Sequence, residues 1–63
     1  MKVWTMKYVG PADNRAPGIL NVPSVNQYGR PTTREVIEAL KAIGYSDADA
    51  HSLAGPDSWW KEF

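Results

Sequence analysis

The sequence contains no cysteine and a single histidine, His51. A disulfide framework and a thiolate zinc site are therefore excluded, and these are two usual supports of very small domains. Net charge is also absent, with seven basic residues balancing seven acidic ones, so no overall field draws the chain to phosphate backbones or anionic membranes. No apolar run reaches the length of a signal peptide or a membrane span, which sets the expectation of a cytoplasmic protein with no membrane partner. Internal repeats and low-complexity tracts are missing too.

What is present fits one small domain over residues 1–63. Folding at this length buries about 60% of the unfolded chain's surface, which leaves no room for a second core. With 43% apolar residues and three tryptophans there is enough material for one core, and homo-oligomerisation is a way to supplement it.

Residues Lys2 to Val9 alternate at strand period, with Trp4, Met6 and Tyr8 on one face and Val3, Thr5, Lys7 and Val9 on the other. The aromatic face is expected to point inward. Gly10 and Pro11 stop the strand, and a polar, turn-rich connection runs through Pro17 and Gly18. Ile19 to Val22, ended by Pro23, and Val25 to Tyr28 are two further short strand candidates.

The second half reads as helical. Thr32 and Glu35 have capping-box spacing, and Val36, Ile37, Leu40 and Ile43 recur at helical period until Gly44. Ser46, with Asp49 three residues on, caps a second short helix that ends at Gly55 and Pro56. A final helical turn follows, in which Trp59 and Phe63 share a face. The expected fold class is α+β: a two- or three-stranded antiparallel sheet packed against a helical hairpin, with a short C-terminal aromatic turn.

Catalysis finds little support in these residues, and neither a cofactor nor a metal is expected. His51 is the natural acid–base candidate, but Ser46, Asp47 and Asp49 lie on its own short helix, which cannot wrap a substrate. His51 with Asp47 supplies only two ligands to a metal. The glycines between Gly10 and Gly18 lack the lysine and spacing of a phosphate loop.

Binding surfaces remain. The Trp59-Trp60 pair points in two directions about 100° apart on a helix, so at least one indole is expected to be partly exposed, and tryptophan is enriched in interface hot spots. The other reading is that both indoles cover an open part of the core. Asp13, Asn14 and Arg15 form the tip of the long connection, either a contact loop or a solvated linker.

The hairpin Val36 to Ser46, followed by Ala48 and Ala50, resembles the first two helices of ubiquitin-associated-type three-helix domains, which carry a hydrophobic-Gly-aromatic loop at the place of Ile43-Gly44-Tyr45. The likeness covers about a third of the chain, and a strand precedes it where those domains have none. It implies that Ile43 and Tyr45 either meet a protein partner or lock the turn to the core.

A protein-binding module, acting as adaptor, inhibitor or subunit through Trp59, Trp60, Tyr45, Ile43 and the Asp13–Arg15 loop, is the expected function. The alternative is a small nucleic-acid-associated regulator in which Lys2, Lys7, Arg15 and Arg30 gather on one face. DNA reading by the helical hairpin is disfavoured, since its second helix offers Asp47, Asp49 and His51 but no lysine or arginine.

Overall fold

A computed structural model of the chain describes residues 1–27 and 29–63. Its order is strand β1 (Lys2–Tyr8), strand β2 (Ile19–Ser24), helix α1 (Thr33–Ala42), helix α2 (Asp47–Ala54), a 3-10 turn (Asp57–Trp59) and strand β3 (Trp60–Glu62). The sheet is antiparallel in the order β2-β1-β3, so the first strand lies in the middle. This is the expected α+β architecture, with the C-terminal segment supplying the third strand.

The period-2 pattern of β1 works as its residues dictate. Trp4 and Met6 are buried and Tyr8 is half-buried, while Val3, Thr5 and Lys7 face solvent. Leu20, Val22 and Ser24 extend the inner face on β2. Pro23 does not end that strand as the sequence suggested. It pairs with Val3 on an edge strand, where a residue without an N–H is tolerated. The strand expected from Val25 does not form: Val25 to Gln27 is irregular, and Tyr28 lies outside the described residues.

Helix α1 starts with the full capping box. The Glu35 N–H donates to Thr32 Oγ1 at 3.3 Å, and the Thr32 N–H donates to a Glu35 carboxylate oxygen at 2.9 Å. The same carboxylate reaches back to the sheet, accepting from Ser24 Oγ at 2.7 Å and from the Val25 N–H at 3.0 Å. One side chain therefore caps a helix and ties it to the end of β2. These hydrogen bonds, the Thr32 amide first and the Ser24 hydroxyl next, hold the Glu35 carboxyl below its ordinary value. Val36, Ala39 and Leu40 bury the helix against β2 and α2. Gly44, at a φ of 113°, makes the left-handed turn that follows.

Helix α2 begins at Ser46, whose hydroxyl accepts from the Asp49 N–H at 3.2 Å, and buries Ala50, Leu53 and Ala54. Beyond it, the expected helical turn is a single 3-10 turn that hands over to β3. Trp60 is the largest fully buried side chain, only 1% exposed. Its indole N–H donates to the Leu53 carbonyl at 3.2 Å, and its ring meets Tyr8 edge-on with centroids 5.2 Å apart. Trp59 is half-buried between two glycines: a Cβ on Gly10 would stand 2.7 Å from its ring, and one on Gly55 would overlap it outright. Gly55 also has a φ of 50°. Phe63 does not share a helical face with Trp59; its N–H donates to the Thr5 carbonyl across the sheet at 2.8 Å, and its side chain is 73% exposed.

Two outcomes follow for stability. Truncating a buried tryptophan costs about 3–5 kcal/mol, and a domain this small holds about 3–5 kcal/mol in total. Trp60→Ala is therefore expected to be largely unfolded by circular dichroism at room temperature, while Trp59→Ala remains folded. The second outcome concerns acid. Because the Glu35 pKa is depressed in the folded state, its contribution is complete above the unfolded carboxylate value and is lost as pH falls through the folded one. A urea-midpoint series should show native protein and Glu35→Gln differing most at neutral pH and converging in acid.

Candidate functional site

Trp60, expected among the exposed contact residues, is instead the centre of the core, because β3 turns its side chain to the inner face of the sheet. The partly exposed member of the pair is Trp59. Ile43 read both as the last residue of the apolar stripe of the first helix and as a candidate contact residue at the turn. It is 58% exposed, since the helix ends at Ala42 and Ile43 serves as its C-cap.

Several of the remaining candidates are brought together. Arg15 forms ion pairs with Asp13 at 3.0 Å and with Asp49 of α2 at 2.7 Å, and the Tyr45 hydroxyl donates to the Arg15 carbonyl. The side-chain hydrogen bond to Asp13 raises the Arg15 pKa and lowers that of Asp13, so both stay charged. The Asp13–Arg15 tip is thus latched onto the helical hairpin through Tyr45 and Asp49, with Asn14 exposed beside it. Here the half-buried Tyr45 locks the turn, while Ile43 points to solvent. The three-helix likeness stops at the hairpin, because β3 stands where a third helix would be.

The four basic residues Lys2, Lys7, Arg15 and Arg30 do not gather on one face. Lys2 lies on the inner side with its ammonium 3.7 Å from the centre of the Trp4 ring, a cation–π contact, whereas Lys7 is on the outer side. Arg15 is committed to its carboxylates. Arg30 donates to the carbonyls of Asp57 at 2.7 Å and Trp60 at 2.6 Å.

His51 is exposed on α2, with Nδ1 2.8 Å from the Asp47 carbonyl and 3.7 Å from its carboxylate. Among the described residues no three acidic or histidine side chains cluster as metal ligands, and no helix is long and apolar enough to cross a membrane.

The largest surface that sequence reasoning passed over is the outer face of the sheet. Both helices pack on the inner side, so Val3, Thr5, Lys7, Val9, Ile19, Asn21, Pro23, Lys61 and Phe63 are all open to solvent. Val3 and Ile19 are each more than half exposed. At its centre, Lys7 and Lys61 stand directly opposite each other on neighbouring strands. Like charges so placed repel. Thr5 Oγ1 donates to Asn21 Oδ1 at 3.1 Å beside them, keeping the polar middle of the face ordered. The available signal was the presence of Val3 and Val9 on the polar side of the first strand, which an ordinary solvated face does not need.

No known protein-family model matches the chain, and neither curated proteins nor solved structures include one similar enough to place it.

Proposed function

We propose that the chain is a non-catalytic protein-binding module whose docking surface is the outer face of its sheet. The observation that carries this reading is the uncovered face itself: Val3, Val9, Ile19 and Phe63 stand exposed around the Lys7–Lys61 pair. Several large apolar side chains exposed on one face mark an interaction site, and two lysines forced side by side are relieved by an anionic neighbour. The partner is therefore a protein surface that offers apolar side chains around one or more carboxylates. A second copy is a poor occupant, since a two-fold contact through this face would bring two lysine pairs together. The non-catalytic character is supported by the isolation of His51, whose neighbour is Asp47 one turn earlier on the exposed side of the same helix.

A second reading, binding of single-stranded nucleic acid, draws on one specific feature: Lys7, Lys61 and the Phe63 ring share this face. A single ring and a net charge of zero make it the weaker of the two.

Site-specific photocrosslinking separates them. A photoreactive residue at Ile19, on the outer face, is compared with one at Arg34, exposed on α1. One protein captured from Ile19 alone, resistant to nuclease and reduced about fivefold or more by Lys7→Glu with Lys61→Glu, is the expected result, as loss of two solvent-exposed charge contacts. Capture only of nucleic acid establishes the second reading. Equal capture from both positions contradicts a docking role for the sheet.

A further inference from the structure

The two edges of the sheet are finished differently. In an antiparallel ladder, directly opposed residues alternate between pairs that exchange both backbone bonds and pairs that exchange none. The Tyr8 N–H donates to the Gly18 carbonyl at 3.1 Å, which fixes the phase between β1 and β2. Met6–Leu20, Trp4–Val22 and Lys2–Ser24 are therefore bonded pairs, and Lys7–Ile19, Thr5–Asn21 and Val3–Pro23 are not. Ile19 and Asn21 point their N–H and C=O groups away from β1 along the free edge, and Pro23 points a carbonyl alone. The same reasoning on the other side, from the Val9 N–H to the Trp59 carbonyl at 2.7 Å, turns the Trp60 carbonyl outward. That carbonyl is occupied by Arg30. The β3 edge is thus capped by a side chain at Trp60, which leaves only Glu62 with outward backbone groups there, whereas the β2 edge is open from Ile19 to the Pro23 carbonyl.

Beside the open edge lies a groove of about 280 Å³ lined by Pro23 and by Glu35, Glu38, Ala39 and Ala42, which form one flank of α1. Its apolar part is alanine methyls and a proline ring. Its polar part is two carboxylates. Glu35 stays ionised while its hydrogen-bond partners, Thr32, Ser24 and Val25, are all neutral. Glu38 is exposed and makes no ion pair among the described residues. The groove thus carries negative charge with no cation of its own.

We infer that this groove takes an extended segment of a partner protein, added to β2 as a fourth strand, with a small aliphatic side chain against Ala39 and Ala42 and a lysine or arginine against Glu38. The two side chains sit two residues apart on the segment, because alternate residues of a strand face the same side. The backbone bonds to Ile19 and Asn21 supply affinity and the acidic rim supplies selectivity. A second copy of this chain is excluded as occupant by the same features: pairing two β2 edges would set one acidic rim beside another and interrupt the ladder at each Pro23. The site shares β2 with the outer face but uses the free backbone edge of that strand and the flank of α1 rather than Lys7 and Lys61, so it does not depend on the reading proposed for that face.

The test is a 15N NMR titration with two acetylated and amidated hexapeptides, Thr-Val-Thr-Arg-Thr-Val and the same peptide with glutamate for arginine. The arginine peptide should shift the Ile19 and Asn21 amides, slow their exchange with solvent and bind about fivefold more tightly than the glutamate peptide. Glu38→Arg should reverse that order. Ala42→Phe, which fills the groove from an exposed position at the end of α1, should abolish binding with the circular dichroism spectrum unchanged. The inference is overturned if neither peptide moves Ile19 and Asn21, if the shifts fall on Lys7 and Lys61 instead, if Glu38→Arg leaves the order unchanged, or if sedimentation shows the β2 edge already paired in a dimer.

Discussion

The burial of Trp60 is the contact on which the rest of the domain depends. Among the described residues it has the largest fully buried side chain, and it joins α2, through the Leu53 carbonyl, to the centre of the sheet, through Tyr8. A residue of this size buried in a small core decides where the backbone that carries it must run. Here it draws residues 60–62 alongside β1 and makes the first strand central rather than an edge. Everything attached to that segment is then placed: Lys61 opposite Lys7, Phe63 beside Thr5, and the Trp60 carbonyl within reach of Arg30. Trp59 is fitted at the same junction, and the slot between Gly10 and Gly55 leaves no space for a side chain on either glycine.

With so much invested in one side of the sheet, the polar network is used to hold connections rather than to build a pocket. Glu35 links the helix start to the end of β2, Arg15 and Tyr45 latch the long connection to the hairpin, and Thr33 Oγ1 donates to Asp57 at 2.7 Å across the C-terminal turn. Among the described residues no buried side-chain polar atom lacks a partner. The surfaces with unspent interactions are the outer face and the β2 edge. They differ in sign, lysines on one and carboxylates on the other, so the two proposed sites select different partner chemistry from the same small domain.

The legible parts of the sequence were those governed by local physics. Alternation placed β1 and its inward face, Thr32 with Glu35 and then Ser46 with Asp49 marked both helix starts, and Gly44 marked the turn between helices. The C-terminal strand was not legible, because Trp60-Lys61-Glu62 is too short to show a period and the spacing of Trp59 and Phe63 suits a helix equally well. Its conformation comes from pairing with β1, more than fifty residues earlier in the chain. That error carried into the candidate site: Trp60 read as a contact residue only while the segment was helical. Asp13, Arg15 and Tyr45 stood as separate candidates in distant parts of the chain, and the ion pair to Asp49 and the Tyr45 hydrogen bond that join them are tertiary contacts that no spacing announces.

If the C-terminal strand belongs to the core, its backbone bonds must open only with the whole domain. Native-state hydrogen exchange at the Phe63 and Val9 amides, which donate across the β1–β3 boundary, measures this directly. The account predicts protection at both comparable with that of Met6 and Leu40 in the centre of the fold. Exchange of Phe63 and Val9 at the rate of a frayed terminus, while Met6 and Leu40 stay protected, would mean that Trp60 is detachable and available to a partner, and would contradict it.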